Sequence, residues 1–302
     1  MLPFARVSII GLGLIGSSIA RGVRERMPTV RLTGHDADPA VRATAERVGL
    51  VDDIADGAGA AVTDADLVIL CVPVGAMGAV AAEIAADLPA DAIVSDVGSC
   101  KADVARALRE ALPDATIVPA HPVAGTERSG PEAGFASLFH GRWCILTPAA
   151  DAPEMAVERV AAFWRGLGAE VQRMTPEHHD RVLAVTSHLP HLIAYTIVGT
   201  ASDLEEVTRS EVLQYSAGGF RDFTRIAASD PTMWRDVFLH NREAVLDMLQ
   251  RFSEDLSQLQ RAIRWGDGDA LFDRFERTRA IRRGIIEQGQ DDARPDFGRV
   301  HE

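Results

Sequence analysis

Five short stretches of this chain carry residue types suited to chemistry at spacings that chemistry could use. In Val94-Ser-Asp-Val-Gly-Ser99-Cys-Lys101 a strand-like run ends at a hydroxyl and opens a helical pattern, so Ser99 reads as a helix N-cap or as a hydroxyl on a ligand-facing rim. His121-Pro-Val-Ala-Gly-Thr-Glu127 follows the next strand-like run. A histidine at a strand end, fixed by a following proline, is well held for proton transfer, although histidines that only satisfy loop backbone groups are more frequent. Ser187-His188-Leu-Pro190-His191 interrupts a helical pattern; Pro190 cannot donate to the carbonyl of Thr186 and should kink the helix there, while His188 and His191, three apart, share a face. The pair lacks the H-E-x-x-H spacing and an evident acidic partner, so no metal site is expected. In Gly218-Gly219-Phe-Arg-Asp222-Phe-Thr-Arg225, leading into Ser229-Asp-Pro-Thr-Met-Trp234, the double glycine supplies a turn, Asp230-Pro231 a helix start and Trp234 an apolar wall. Arg225 is a surface charge or a planar fork for a carboxylate.

The fifth stretch, Arg6-Val-Ser-Ile-Ile-Gly-Leu-Gly-Leu-Ile-Gly16, organises the rest. It reads as a β-strand, a glycine-spaced turn over Gly11, Leu12, Gly13, Leu14, Ile15 and Gly16, and then a helix. In G-x-G-x-x-G the first glycine permits the tight turn, the second lets the backbone approach a pyrophosphate, and the third lets helix and strand pack closely. The following helix would aim its free N–H groups and positive dipole end at that pyrophosphate. A second strand ends at Asp36, twenty residues past Gly16, where a carboxylate can accept hydrogen bonds from an adenosine ribose. The same carboxylate would repel a 2′-phosphate, and neither His35 nor Ala37 supplies the arginine of NADP sites, which points to NAD.

The elements that must position these residues follow from the pattern. Between residues 6 and 174, strands are expected at 6–11, 30–36, 67–72, 92–97, 116–120, 143–147 and 169–174. Helices are expected near 14–26, 39–48, 76–87, 101–111 and 153–166, the alternation of a doubly wound parallel sheet covered on both faces. Ligands of such sheets lie beyond the C-terminal strand ends, which puts Gly11, Asp36, Val72, Pro73, Ser99 and His121 on one rim. After Thr175 strand-like runs give way to helical patterns at 175–200, 203–215, 231–265 and 267–288. The expected domains are 1–174 (Rossmann-type α/β, NAD-binding) and 175–288 (all-α, substrate and dimerisation), with a disordered tail at 289–302.

Composition narrows the function classes. The 302 residues are 47% hydrophobic and 25% charged, as in a globular protein. A net charge of −13 argues against nucleic acid and requires an anionic substrate to be attracted locally, by particular arginines, histidines or helix ends. By sequence, no apolar run is expected to reach the ~18–20 residues of a membrane span. The start, Met1-Leu-Pro-Phe-Ala-Arg6, enters the first strand without the basic segment of a signal peptide, so a cytoplasmic location is expected. Three scattered cysteines (Cys71, Cys100, Cys144) fit neither a disulfide framework nor a C-x-x-C site. Lys101 is the only lysine, which excludes mechanisms needing one elsewhere.

Taken in order, GLGLIG at 11–16, DVGSCK at 96–101, HPVAGTERSG at 121–130, SHLPH at 187–191 and GGFRDFTRIAASDPTMWRD at 218–236 make the chain resemble the prephenate/arogenate (cyclohexadienyl) dehydrogenase family of tyrosine biosynthesis over nearly its whole length. The resemblance implies a Rossmann-type NAD domain followed by a helical domain that dimerises, with the active site between them. It implies that Ser99 and His121 face the substrate's ring hydroxyl, that His188 helps position the substrate, and that Arg225 binds a substrate carboxylate. Asp222 would orient that arginine, with Gly219 and Trp234 on the substrate side. Relatives often add a regulatory domain of the ACT type, for which this chain would stop too early. Two other classes compete. A β-hydroxyacid dehydrogenase would share the architecture but resembles its relatives in using a lysine from the helical part, which this chain lacks. A non-catalytic NAD sensor would need only the Gly11–Asp36 region.

Overall fold

In the computed structural model, the residues described are 3–126, 128–203, 211, 214–215 and 218–287. The helix expected over 203–215 falls mostly outside them, as does the tail at 289–302. The chain forms two compact units, 1–246 and 247–302.

The first unit opens with β1 (Arg6–Ile10), α1 (Leu14–Arg26), β2 (Arg31–His35), α2 (Pro39–Arg47), β3 (Asp53–Ile54), α3 (Ala58–Val62), β4 (Leu67–Leu70), α4 (Met77–Ile84), β5 (Ile93–Asp96), α5 (Ala102–Ala111) and β6 (Thr116–Ile117). The six strands form one parallel sheet in the order β3-β2-β1-β4-β5-β6, whose order reverses beside β1. This is a Rossmann-type sheet, and its ligand crevice lies at that reversal. Alternate side chains feed two cores, as the two-residue period of a strand requires: Ile9, Leu67 and Ile69 join Ile19, Leu32 and Trp164, whereas Ile10, Val68 and Leu70 join Ile84, Val94 and Leu108. Sequence reading missed β3 and α3, which are two and five residues long.

The expected parallel series does not continue. The residues β7 (Ala120–Pro122), β8 (Trp143–Leu146) and β9 (Glu170–Arg173) form a separate sheet, with β7 antiparallel and β9 parallel to β8. Pro119 explains the departure. Val118 still donates to Val94 at 2.9 Å, but Pro119 has no N–H to extend the ladder, and its carbonyl accepts from Thr147 at 3.0 Å instead. The strand carrying His121 is thereby turned out of the main sheet.

Beyond α6 (Glu154–Gly166) come α7 (Pro176–Leu183), a π turn (Ala184–His188), α8 (Leu189–Ser202), α9 (Gly218–Thr224), a 3₁₀ turn (Arg225–Ala228), α10 (Pro231–His240) and α11 (Arg242–Trp265). Thr175 and Asp230 cap α7 and α10 ahead of Pro176 and Pro231. The run expected over 175–200 is broken not at Pro190 but one turn earlier. Leu189 donates to Ala184, a five-residue span that widens the turn so that Pro190 falls in the first turn of α8. By length and mean hydropathy (1.4) the stretch Pro176–Ser202 is capable of spanning a membrane, contrary to the sequence reading. Its buried His179, Asp180 and His188 are tied by hydrogen bonds to β7, α5 and Asn241. From Asp247 onward, the second unit comprises the rest of α11 and α12 (Gly268–Glu287), joined at Gly266 (φ 68°) and held by an Arg274–Asp255 ion pair of 2.7 Å.

Candidate active site

At the crevice, the three glycines do different work. Gly11 has φ 99°, and a Cβ there would lie 2.5 Å from the carbonyl oxygen of Cys71. At Gly16 a Cβ would lie 2.0 Å from the carbonyl oxygen of Gly11, so α1 packs against the turn only without a side chain. A Cβ at Gly13 would meet nothing within 4 Å; its position opens outward at the N-terminus of α1, as an approaching pyrophosphate requires. Asp36 accepts from Leu12 N at 2.8 Å and from Asp38 N at 3.0 Å, which fixes its carboxylate at the end of β2. Leu14 and Ile15 are half-buried against the core; Val72 and Pro73 follow β4, with Pro73 exposed at the start of a 3₁₀ turn. These residues fit a dinucleotide.

Ser99 is half-buried ahead of α5, but it does not cap that helix as the sequence suggested. The N–H groups of Lys101 and Ala102 instead donate to the carboxylate of Asp180, on α7, at 2.8 and 2.9 Å. A distant carboxylate makes a local hydroxyl cap unnecessary and favours the positive end of the helix. Lys101 itself is fully buried; its ammonium pairs with Asp96 and donates to the carbonyl of Ala120 at 2.7 Å, which ties β5 to the strand bearing His121.

His121 is 8% exposed, with Nδ1 2.8 Å from Nε2 of His179, whose Nδ1 lies 2.8 Å from Asp180 Oδ1. Burial, then the neighbouring His179 and Lys101, hold the His121 pKa well below 6.5, so the ring is neutral at pH 7. Burial also lowers that of His179, against the opposing pull of Asp180. Asn241 joins this group to the next histidine, its amide donating to the Asp180 carbonyl at 2.8 Å and to His188 Nδ1 at 3.0 Å. His188 is fully buried, and burial takes its pKa down to about 4. Because Nδ1 accepts, its proton sits on Nε2, which has no partner among the described residues.

Trp234, 7% exposed, lies between two histidines: edge-on to His188 with ring centroids 6.0 Å apart, and stacked on His191 at 3.6 Å. His191 donates from Nδ1 to the carbonyl of Ser187 at 2.8 Å, and the charge of Arg225 adds to burial in lowering its pKa. Arg225, Asp222 and Gly219 are exposed on α9 and the 3₁₀ turn that follows it. The structure therefore joins His121, His188 and Trp234 through shared neighbours and puts Gly11, Leu12, Gly13, Gly16 and Asp36 at one crevice. His179, Asp180 and Asn241 carry the connections, and sequence reasoning missed all three. The only sequence signals were a His-Asp dipeptide one turn into a capped helix and an asparagine where the pattern expected over 231–265 breaks.

The comparisons agree with this architecture. Residues 19–173 match the family profile described as prephenate dehydrogenase, nucleotide-binding domain, and residues 175–277 match prephenate dehydrogenase, dimerization domain. The chain is 47% identical to the cyclohexadienyl dehydrogenase of Zymomonas mobilis over 93% of its own length and 96% of that protein's. It is 34% identical to the prephenate dehydrogenase of Bacillus subtilis, over 92% of this chain and 76% of that one. The crystal structure of prephenate dehydrogenase from Aquifex aeolicus in complex with hydroxyphenyl propionate and NAD+ superposes with a TM-score of 0.87 at 33% identity, covering 94% of this chain and 98% of that one. With both profiles matched in order, and relatives of 34–47% identity covered over most of their length, the chain belongs to the prephenate dehydrogenase family.

Proposed function

We propose that this protein catalyses the NAD-dependent oxidative decarboxylation of prephenate to 4-hydroxyphenylpyruvate, of arogenate to tyrosine, or of both. What carries the reading is His121: buried, neutral, backed by His179, and with no protein partner on Nε2 among the described residues. A neutral imidazole so held is a general base. Bound at Gly11, Leu12, Gly13, Leu14, Ile15, Gly16, Asp36, Val72 and Pro73, NAD would supply the hydride acceptor.

The remaining chemistry is assigned to the chain's own residues. His121 takes the proton of the C4 hydroxyl as the hydride leaves C4, and Ser99 holds the other side of that oxygen. The electrons of the bond to the C1 carboxylate enter the ring, carbon dioxide departs, aromatisation drives the step, and His121 returns its proton to the resulting phenolate oxygen. His188, through its Nε2–H, helps position the substrate. Arg225 binds a substrate carboxylate, oriented by Asp222, with Gly219 and Trp234 lining that side. The domain assignment that goes with this reading is 1–174 for NAD and 175–288 for substrate and dimerisation.

The protein is proposed to act as a homodimer, for which the match to a dimerization domain and the exposed apolar side chains of α11 and α12 are the support. A cytoplasmic location is supported by three free cysteines. The test is NADH formation by purified protein given prephenate or arogenate, each with NAD and with NADP. Turnover of either substrate with strong NAD preference is expected. Silence with both, from protein that still binds NAD, would refute the reaction while leaving the family intact.

A further inference from the structure

We infer that His179 and Asp180 are positioning residues that fix which nitrogen of His121 carries its proton, and so make Nε2 the one that accepts. The argument rests on the direction of the bonds. Asp180 is placed only to accept: its carboxylate receives the N–H groups of Lys101 and Ala102, and Oδ1 also receives Nδ1–H of His179. With its proton on Nδ1, a neutral His179 presents a lone pair at Nε2, and that lone pair faces Nδ1 of His121 at 2.8 Å. His121 must then hold its proton on Nδ1, which leaves Nε2 bare.

The unit is rigid as well as directional. His179 and Asp180 are 0% and 5% exposed, and Asn241 grips the Asp180 backbone from the other side. Lys101, bonded to the carbonyl next to His121, adds a fixed positive charge that disfavours an extra proton on either ring before substrate arrives. Once His121 accepts a proton, the bond from Nδ1–H to His179 stabilises the imidazolium. The same logic operates in Ser–His–Asp sites, where the buried aspartate selects the histidine tautomer. Here a second histidine is interposed. This inference rests on the base role proposed for His121, but the tautomer is measurable without substrate.

The test combines kinetics with nitrogen NMR of protein labelled with ¹⁵N-histidine, the His121 signals being assigned by their loss in His121→Asn. Wild-type protein without substrate should show Nε2 of His121 unprotonated and Nδ1 protonated. In His179→Leu both nitrogens should shift toward averaged values, with kcat lowered about ten- to a hundredfold and KM and NAD affinity nearly unchanged. His179→Gln, whose amide can accept from His121 and donate to Asp180, should recover most of kcat. A protonated Nε2 in the wild type, or full kcat with unshifted nitrogens in folded His179→Leu, overturns the inference. Absence of turnover with either substrate would instead count against the proposed reaction, with the wild-type nitrogen spectrum still deciding the tautomer.

Discussion

If His121 is the base and Arg225 the binding group, as proposed, their replacements should separate in kinetics. His121→Asn keeps a small polar side chain but removes the proposed base, so kcat should fall by about 10²–10⁴, while NAD affinity, assigned to the crevice around Leu12 and Asp36, should stay level. Stopped or steady-state NADH formation with a separate NAD titration checks both. Arg225→Ala should act mainly on KM, by the ~1.5–3 kcal/mol of a charged hydrogen bond; an unchanged KM would remove the carboxylate assignment. At this scale the sequence was readable where local context fixes a side chain. His121 is announced by a strand end and a proline, and Asp36 by its distance from Gly16. His179 and Asp180 were not readable, because their meaning lies in contacts to Lys101, Ala102 and His121, which are 58 to 79 residues away in the chain. Ser99 was misread as a cap for the same reason: the group that serves α5 comes from another helix.

Elements translate single residues into geometry, and the glycine turn offers a paired test. Gly16→Ala forces a Cβ into the carbonyl of Gly11 and should lower Tm markedly, whereas Gly13→Ala meets open space and has an ordinary φ of −71°. The second variant should keep its Tm but bind NAD about tenfold more weakly or worse, a loss of ~1.4 kcal/mol; calorimetry and a binding titration distinguish the two. A second prediction concerns α7, the π turn and α8, which bury His179 and His188 near His121 of β7 and half-bury His191 against Trp234. All four have pKa values depressed by burial, His188 to about 4. For a depressed histidine the unfolded chain takes up protons first, so stability is constant above the unfolded pKa of about 6.5 and falls as pH drops toward the folded value. His188 alone accounts for on the order of 3 kcal/mol across that window. Urea midpoints measured between pH 7.5 and 4.5 should therefore decline, and His188→Leu should flatten the decline. Element existence was largely legible from periodicity and caps, as at Asp230-Pro231. The second sheet and the π turn were not, since Pro119 and Pro190 each announce an interruption without saying how the freed backbone groups will be satisfied.

For the whole molecule, charge and apolar surface set the terms of association. A net charge of −13 gives no general attraction to an anionic substrate, so capture has to be local, a role proposed above for Arg225. The same charge makes the apolar side chains of the second unit conspicuous: Leu256, Ile263, Trp265, Phe272, Phe275 and Ile281 are all more than half exposed. Scattered exposed leucines need no explanation, but aromatic and branched side chains recurring along two adjacent helices do. They are suited to a second copy of the chain, because a two-fold axis lets one apolar face cover its own equivalent. Phe272→Glu with Phe275→Glu would place charges on those helices while leaving every residue of the histidine cluster unchanged. Sedimentation should then show the wild type near twice the 32.5 kDa chain mass and the double variant near the single mass. The wild-type Tm should rise with protein concentration and that of the variant should not, since only an associating fold is stabilised by mass action. A wild type that sediments as a single chain, or a double variant that remains paired, would mean that this face is not what the second copy covers.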